Sequence, residues 1–140
     1  MKKEEFALEN HKKGYNCAQS VLCSFFEELG MEEEQLYKLS EGFGLGMGAM
    51  DTCGALTGLF MLIGMKNSGG TVNAGKTKED TYRIVREYAD KFRDKNGSVY
   101  CRDLKGAVTG RALSQCDQCI ADAVVLAEEF LKKREDHASV

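Results

Sequence analysis

The chain has 140 residues, 43% hydrophobic and 29% charged, which suits one globular domain with one core and leaves little room for a second. Its net charge is −3 and it has no Lys/Arg block, so no nucleic-acid partner is expected, because phosphate binding needs concentrated positive charge. The opening MKKEEFALENHKKG is charged where a signal peptide has its apolar core, and the longest apolar run, 55–65, is far shorter than the roughly 20 residues of a bilayer span, so a cytoplasmic protein with no membrane span is expected.

There is no proline, so chain breaks rest on Gly, Asn, Asp and Ser, and 10 of the 15 glycines fall between residues 42 and 75. Residues 2–12 read as a short charged helix closed by Gly14. In 16–30 apolar residues recur every four places, as Ala18, Leu22, Phe26 and as Cys17, Val21, Phe25, Leu29. This predicts an amphipathic helix, with Asn16 as N-cap and Gly30 past its end. A third helix covers 32–40, with acids in its first turn and Gly42 beyond it. The glycine-rich GFGLGMG, 42–48, follows as a loop. Asp51 or Thr52 caps a fourth helix running to Lys66, on which Gly54 and Gly58 share one face and let another backbone come close.

After a loop at 67–76, Thr77 and Asp80 resemble an acidic capping box. Val85, Tyr88, Ala89 and Phe92 then stripe a helix ending near Asp94. Residues 98–106 form a link of one extended and one helical turn. The last helix runs from Ser114 to Arg134, with Ile120, Val124, Ala127 and Leu131 facing the core, and the tail 135–140, with His137, is expected to fray. The expectation is an all-α protein: a single domain over 1–140, a bundle of five or six helices with a glycine-rich loop before the fourth helix.

Six cysteines is a high count for a cytoplasmic chain, and such a set suits metal binding or redox chemistry better than structural disulfides. Cys17, Cys53, Cys101 and Cys116 each fall at a predicted helix N-terminus, where unpaired N–H groups and the helix dipole favour a thiolate. Cys23 is mid-helix and reads as core filler. Cys119 forms a C-x-x-C with Cys116, a spacing that suits a dithiol pair or a metal knuckle. His11 reads as a solvated residue of the first helix, which leaves no buried His for a Cys-His catalytic pair.

The stretches GYNCAQSVL, GFGLGMG, CGALTG, VYCRDLKG and CDQCIADAVVLAEE together resemble the C_GCAxxG_C_C family of redox-active proteins, from Lys2 to Lys132. The resemblance implies four shared cysteines around a Cys-Gly-Ala-x-x-Gly element. By position these are Cys17, Cys53, Cys101 and Cys116, with Cys23 and Cys119 as additions of this sequence. Where members often carry Arg-Met ahead of the central cysteine, this chain has Ala49-Met50, so a basic group near the site is missing. The family's redox character implies no particular reaction, substrate or cofactor.

Three functions fit the residues. In the first, Cys17, Cys53, Cys101 and Cys116 converge on one site for thiol/disulfide exchange or electron transfer with a redox partner protein or small thiol, as a thiol oxidoreductase would. In the second, the same four, with Cys119 a further candidate, ligate a metal ion or an iron–sulfur cluster. In the third the cysteines merely pack in a non-catalytic helical scaffold. Around them, Gly54, Tyr15, Asn16 and Arg102 are the candidate cofactor- or ligand-binding residues: Tyr15, Asn16 and Gln19 are placed to donate to a thiolate, and Arg102 to acidify Cys101. Met47 and Met50 are candidates to line a cleft near Cys53. The glycine-faced helices would also suit a homodimer.

Overall fold

The computed structural model describes residues 1–138. Among them there are eight α-helices and no strand: α1 (Lys3–Lys12), α2 (Cys17–Cys23), α3 (Phe26–Leu29), α4 (Glu33–Ser40), α5 (Gly54–Asn67), α6 (Lys78–Asn96), α7 (Cys101–Lys105) and α8 (Cys116–Ala138). The all-α expectation holds, and the helix count rises from five or six to eight for two local reasons. The predicted 16–30 helix breaks at Ser24 and Phe25. There the Ser24 hydroxyl donates to the Val21 carbonyl at 2.7 Å, Lys3 takes the Ser24 carbonyl at 2.9 Å, and Phe25 leaves helical geometry while fully buried. The helical turn expected in 98–106 is a five-residue helix, α7.

The core forms around α5, whose residues Leu56, Leu59, Leu62 and Ile63 are fully buried. Its main partners are α2 and α8; α1 packs on α8 and α2, and α6 covers α5 and α8. On α8, Ile120, Val124 and Ala127 are buried and Leu131 partly so. Gly58 sets the α2–α5 approach: a Cβ there would lie 2.9 Å from the Ala18 carbonyl oxygen. No helix among the described residues is long and apolar enough to cross a membrane.

Several local expectations change. Thr77 starts α6 without a side-chain cap; its hydroxyl accepts from the Gly69 amide, and Asp80 instead holds Arg83 and Asn67. The true capping box is Asn16 with Gln19, each side chain accepting from the other's backbone N–H at 2.9 Å. Asp51 and Thr52 do not cap α5, because Cys53 holds that place. Helix α8 continues through 135–138, into the tail expected to fray; residues 139–140 and the His137 side chain lie outside the description.

The glycine-rich segment is a 3-10 turn, Glu41–Phe43, followed by a single wide turn, Gly46–Met50, closed by the Asp51 amide on the Gly46 carbonyl. Leu45, Met47 and Met50 adopt left-handed φ of 51°, 58° and 54°, a conformation that costs a non-glycine residue about 1–3 kcal/mol. Just beyond it, Thr52 and Tyr100 form an isolated antiparallel bridge. The Cys53 amide donates to Val99 and the Cys101 amide to Asp51, both at 2.7 Å, so the starts of α5 and α7 are pinned side by side.

Candidate functional site

Each of four cysteines stands at a helix start. Cys17, Cys101 and Cys116 are the first residues of α2, α7 and α8, and Cys53 is the N-cap residue of α5. Helix packing and the Thr52–Tyr100 bridge aim these starts at one place. A cavity of about 180 Å³ is lined by Cys17, Cys53, Cys101, Cys116 and also Cys119, one turn into α8. All six cysteines are free thiols. Cys23 alone is elsewhere, fully buried with its thiol facing the Glu33 carbonyl at 3.9 Å. Gly54 belongs to the site by being small: a Cβ there would press on Cys17 Cβ at 3.2 Å and on the Phe43 carbonyl at 3.1 Å.

Four of the sulfurs form two pairs. Cys17 and Cys116 act mainly on each other's ionisation, as do Cys53 and Cys119, and all four line the one cavity. The two pairs differ in access. Cys17 and Cys116 are half-buried, whereas Cys53 and Cys119 are 5% and 2% exposed. In each pair one proton is shared, so one sulfur ionises readily and the other does not. Cys116 is drawn from the ordinary 9.0 down to about 6, first by the Cys17 thiol, against its own burial, with Lys105 and His11 adding attraction. Cys119 is lowered by the Cys53 thiol. Cys17 and Cys53 are driven up, first by holding the shared proton and then by burial. Cys101 is raised by burial, with Lys105 opposing.

A thiolate at all four helix starts is therefore not what the protein makes. A helix terminus is worth about 0.3–1 kcal/mol, less than the 1.36 kcal/mol of one pKa unit, and a shared proton and burial outweigh it. At Cys53 the Ala55 and Leu56 amides do face the sulfur, but the Cys119 sulfur decides its state.

The candidate ligand-binding residues divide. Asn16 lines the cavity, yet its side chain is committed to the capping box and to the Glu41 carbonyl. Gln19 donates to the Tyr37 carbonyl. Tyr15 points away, donating its hydroxyl to Glu33 at 2.8 Å and stacking edge-on against Tyr37. Arg102 lies over the Tyr100 ring, 5.0 Å from its centroid, and does not line the cavity. Met47 and Met50 do not line it either; Leu45 does.

Two basic residues were missed. His11 lines the cavity, its Nδ1 3.0 Å from the Tyr15 carbonyl, which can only accept; Nδ1 therefore carries a proton and Nε2 lies 3.9 Å from Asp117. The clue in the sequence was Ala7, four residues before His11 and fully buried, marking the packed face of an otherwise charged helix. Lys105 closes α7 and also lines the cavity, supplying charge near Cys116 where the glycine-rich segment has no basic residue.

Residues 15–130 match the model of the family described as "Putative redox-active protein (C_GCAxxG_C_C)". The chain belongs to this family. No curated protein and no solved structure matches it. Cys17, Cys53, Cys101 and Cys116, the four that the resemblance assigns to the family, all line the cavity, but they do not pair among themselves alone. Cys53 takes Cys119 as its partner and Cys101 has no thiol partner. Among the described residues no three His, Cys, Asp or Glu groups are arranged to hold a metal ion, so the thiolate-metal reading gains no support from the geometry.

Proposed function

We propose that the protein is a dithiol–disulfide redox protein in which Cys116 attacks and Cys17 resolves. The observation that carries the reading is the half-buried Cys17–Cys116 pair, with one sulfur acidic and its neighbour holding the proton. The substrate is a disulfide of a small thiol or of a partner protein. The Cys116 thiolate attacks one substrate sulfur and expels the other as a thiolate, which takes the Cys17 proton. The Cys17 thiolate then attacks Cys116 and expels the second substrate thiolate, which is protonated by water. One substrate disulfide becomes two thiols, and the protein dithiol becomes a Cys17–Cys116 disulfide; an external thiol reverses the change and resets the protein.

The reading is tested by treating reduced protein with oxidised glutathione, quenching in acid and mapping linked peptides by mass spectrometry. A Cys17–Cys116 linkage is expected. Cysteines that stay unlinked, or that link only after unfolding, would sink the reading and favour cysteines that only pack.

A further inference from the structure

Resting on that reading, we propose that the protein holds two electron pairs: a disulfide formed at Cys17–Cys116 is passed inward to Cys53–Cys119, which frees the outer pair for a second substrate. Three observations carry this. The inner sulfurs, from the starts of α5 and α8, line the same cavity and act on each other's ionisation, so they are not isolated packing residues. They are 5% and 2% exposed, so a substrate disulfide cannot reach them directly. Cys116 and Cys119 lie one helical turn apart on α8 and face the same cavity, so the C-x-x-C joins the two pairs.

The transfer balances without any outside reagent. The Cys119 thiolate attacks Cys116 in the outer disulfide, making a Cys116–Cys119 disulfide and releasing Cys17 as a thiolate. Cys17 takes the Cys53 proton. The Cys53 thiolate then attacks Cys119, making the Cys53–Cys119 disulfide and returning Cys116 as a thiolate. The outer pair is back in its starting state, with one thiol and one thiolate, and the inner pair has lost two electrons. Each further step outside the protein is the substrate reaction already described, so two substrate disulfides are reduced before a reductant is needed. Cys101, buried and without a thiol partner, stays reduced throughout.

The test is a time course of the full chain in oxidised glutathione, acid-quenched, unfolded, alkylated and peptide-mapped. Of the six thiols, the Cys17–Cys116 pair is expected to disappear first and the Cys53–Cys119 pair after it, leaving Cys23 and Cys101 alkylated. In Cys116→Ser the inner disulfide is expected to form at least about tenfold more slowly, since the C-x-x-C step that joins the two pairs is gone. An end state in which Cys53 and Cys119 are still alkylated beside a formed Cys17–Cys116 disulfide overturns the relay and leaves the outer chemistry standing. An inner disulfide that forms at the wild-type rate in Cys116→Ser also overturns it. Should the variant not fold, the wild-type end state decides alone. If Cys17 and Cys116 never link, the proposed function itself has failed.

Discussion

The acidity of Cys116 can be read directly from the pH dependence of its alkylation by iodoacetamide. With the Cys17–Cys116 pair losing its first proton at about 6 instead of 9.0, Cys116 is about 90% thiolate at pH 7, against about 1% for an unperturbed thiol, an advantage of about ninetyfold. Acidity also weakens the nucleophile. A Brønsted slope of about 0.4–0.5 over three units makes each thiolate about twentyfold less reactive. The net gain at pH 7 is therefore only about fourfold, and at pH 9 Cys116 should be about tenfold slower than an ordinary thiol. The diagnostic is the midpoint and the low plateau, not the speed. Alkylation of native protein is followed between pH 4.5 and 9.5 by peptide mass spectrometry, and Cys116 should titrate near 6. Cys17→Ala removes the largest cause of the shift, so its midpoint should move back toward 9.0. A wild-type midpoint at 8.5 or above, or one that Cys17→Ala leaves in place, would refute the shared-proton argument.

Lys105→Gln and His11→Gln should each raise the same midpoint, by less than Cys17→Ala does, because their attraction is secondary to the effect of the Cys17 thiol; larger shifts from either would reverse that order. Folding stability carries a matching signature. Cys116 has a folded value below its unfolded one, so its contribution is complete above 9.0 and is lost as pH falls through about 6. Cys17 is raised instead, so its contribution is complete below 9.0 and fades as pH rises beyond that value. Urea unfolding in reductant should therefore show a stability gain from pH 5.5 to 7.5 that is absent in Cys116→Ser. Gly58→Ala places a Cβ 2.9 Å from the Ala18 carbonyl; overpacking of about 1–3 kcal/mol outweighs about 1 kcal/mol of helix propensity, for a net loss of up to about 2 kcal/mol in denaturant titration. A gain in stability there would show that α2 and α5 can separate freely.

Much of the fold was legible because its signals are local. The four-residue spacing on α2 and α8, the Asn16 cap, and the placing of Gly54 and Gly58 on one face of α5 are patterns within single helices, although the partner those glycines meet, α2, lies far away in sequence. The break at Ser24–Phe25 was hidden, since part of it comes from Lys3, twenty-one residues away, taking the Ser24 carbonyl. At the site, the positions of Cys17, Cys53, Cys101 and Cys116 on helix starts could be read, but their ionisation could not. Ionisation depends on which sulfur meets which, and that is set by how α2, α5 and α8 cross. The same long-range fact put Cys119 against Cys53 and brought His11 and Lys105 to the cavity, while Tyr15 and Arg102, neighbours of cysteines in sequence, turned elsewhere.

Cys23, the sixth thiol, is fully buried, stands outside the cavity and is pushed up to about 12 by its burial. Such a sulfur is modified only when the structure around it opens, so it serves as an internal standard for every alkylation measurement on this chain. In any variant, a change at Cys116 with Cys23 unmoved reports on local chemistry. A parallel rise at both reports that the bundle has loosened. The molecule thus carries its own reference against which reactivity and unfolding can be told apart in a single spectrum.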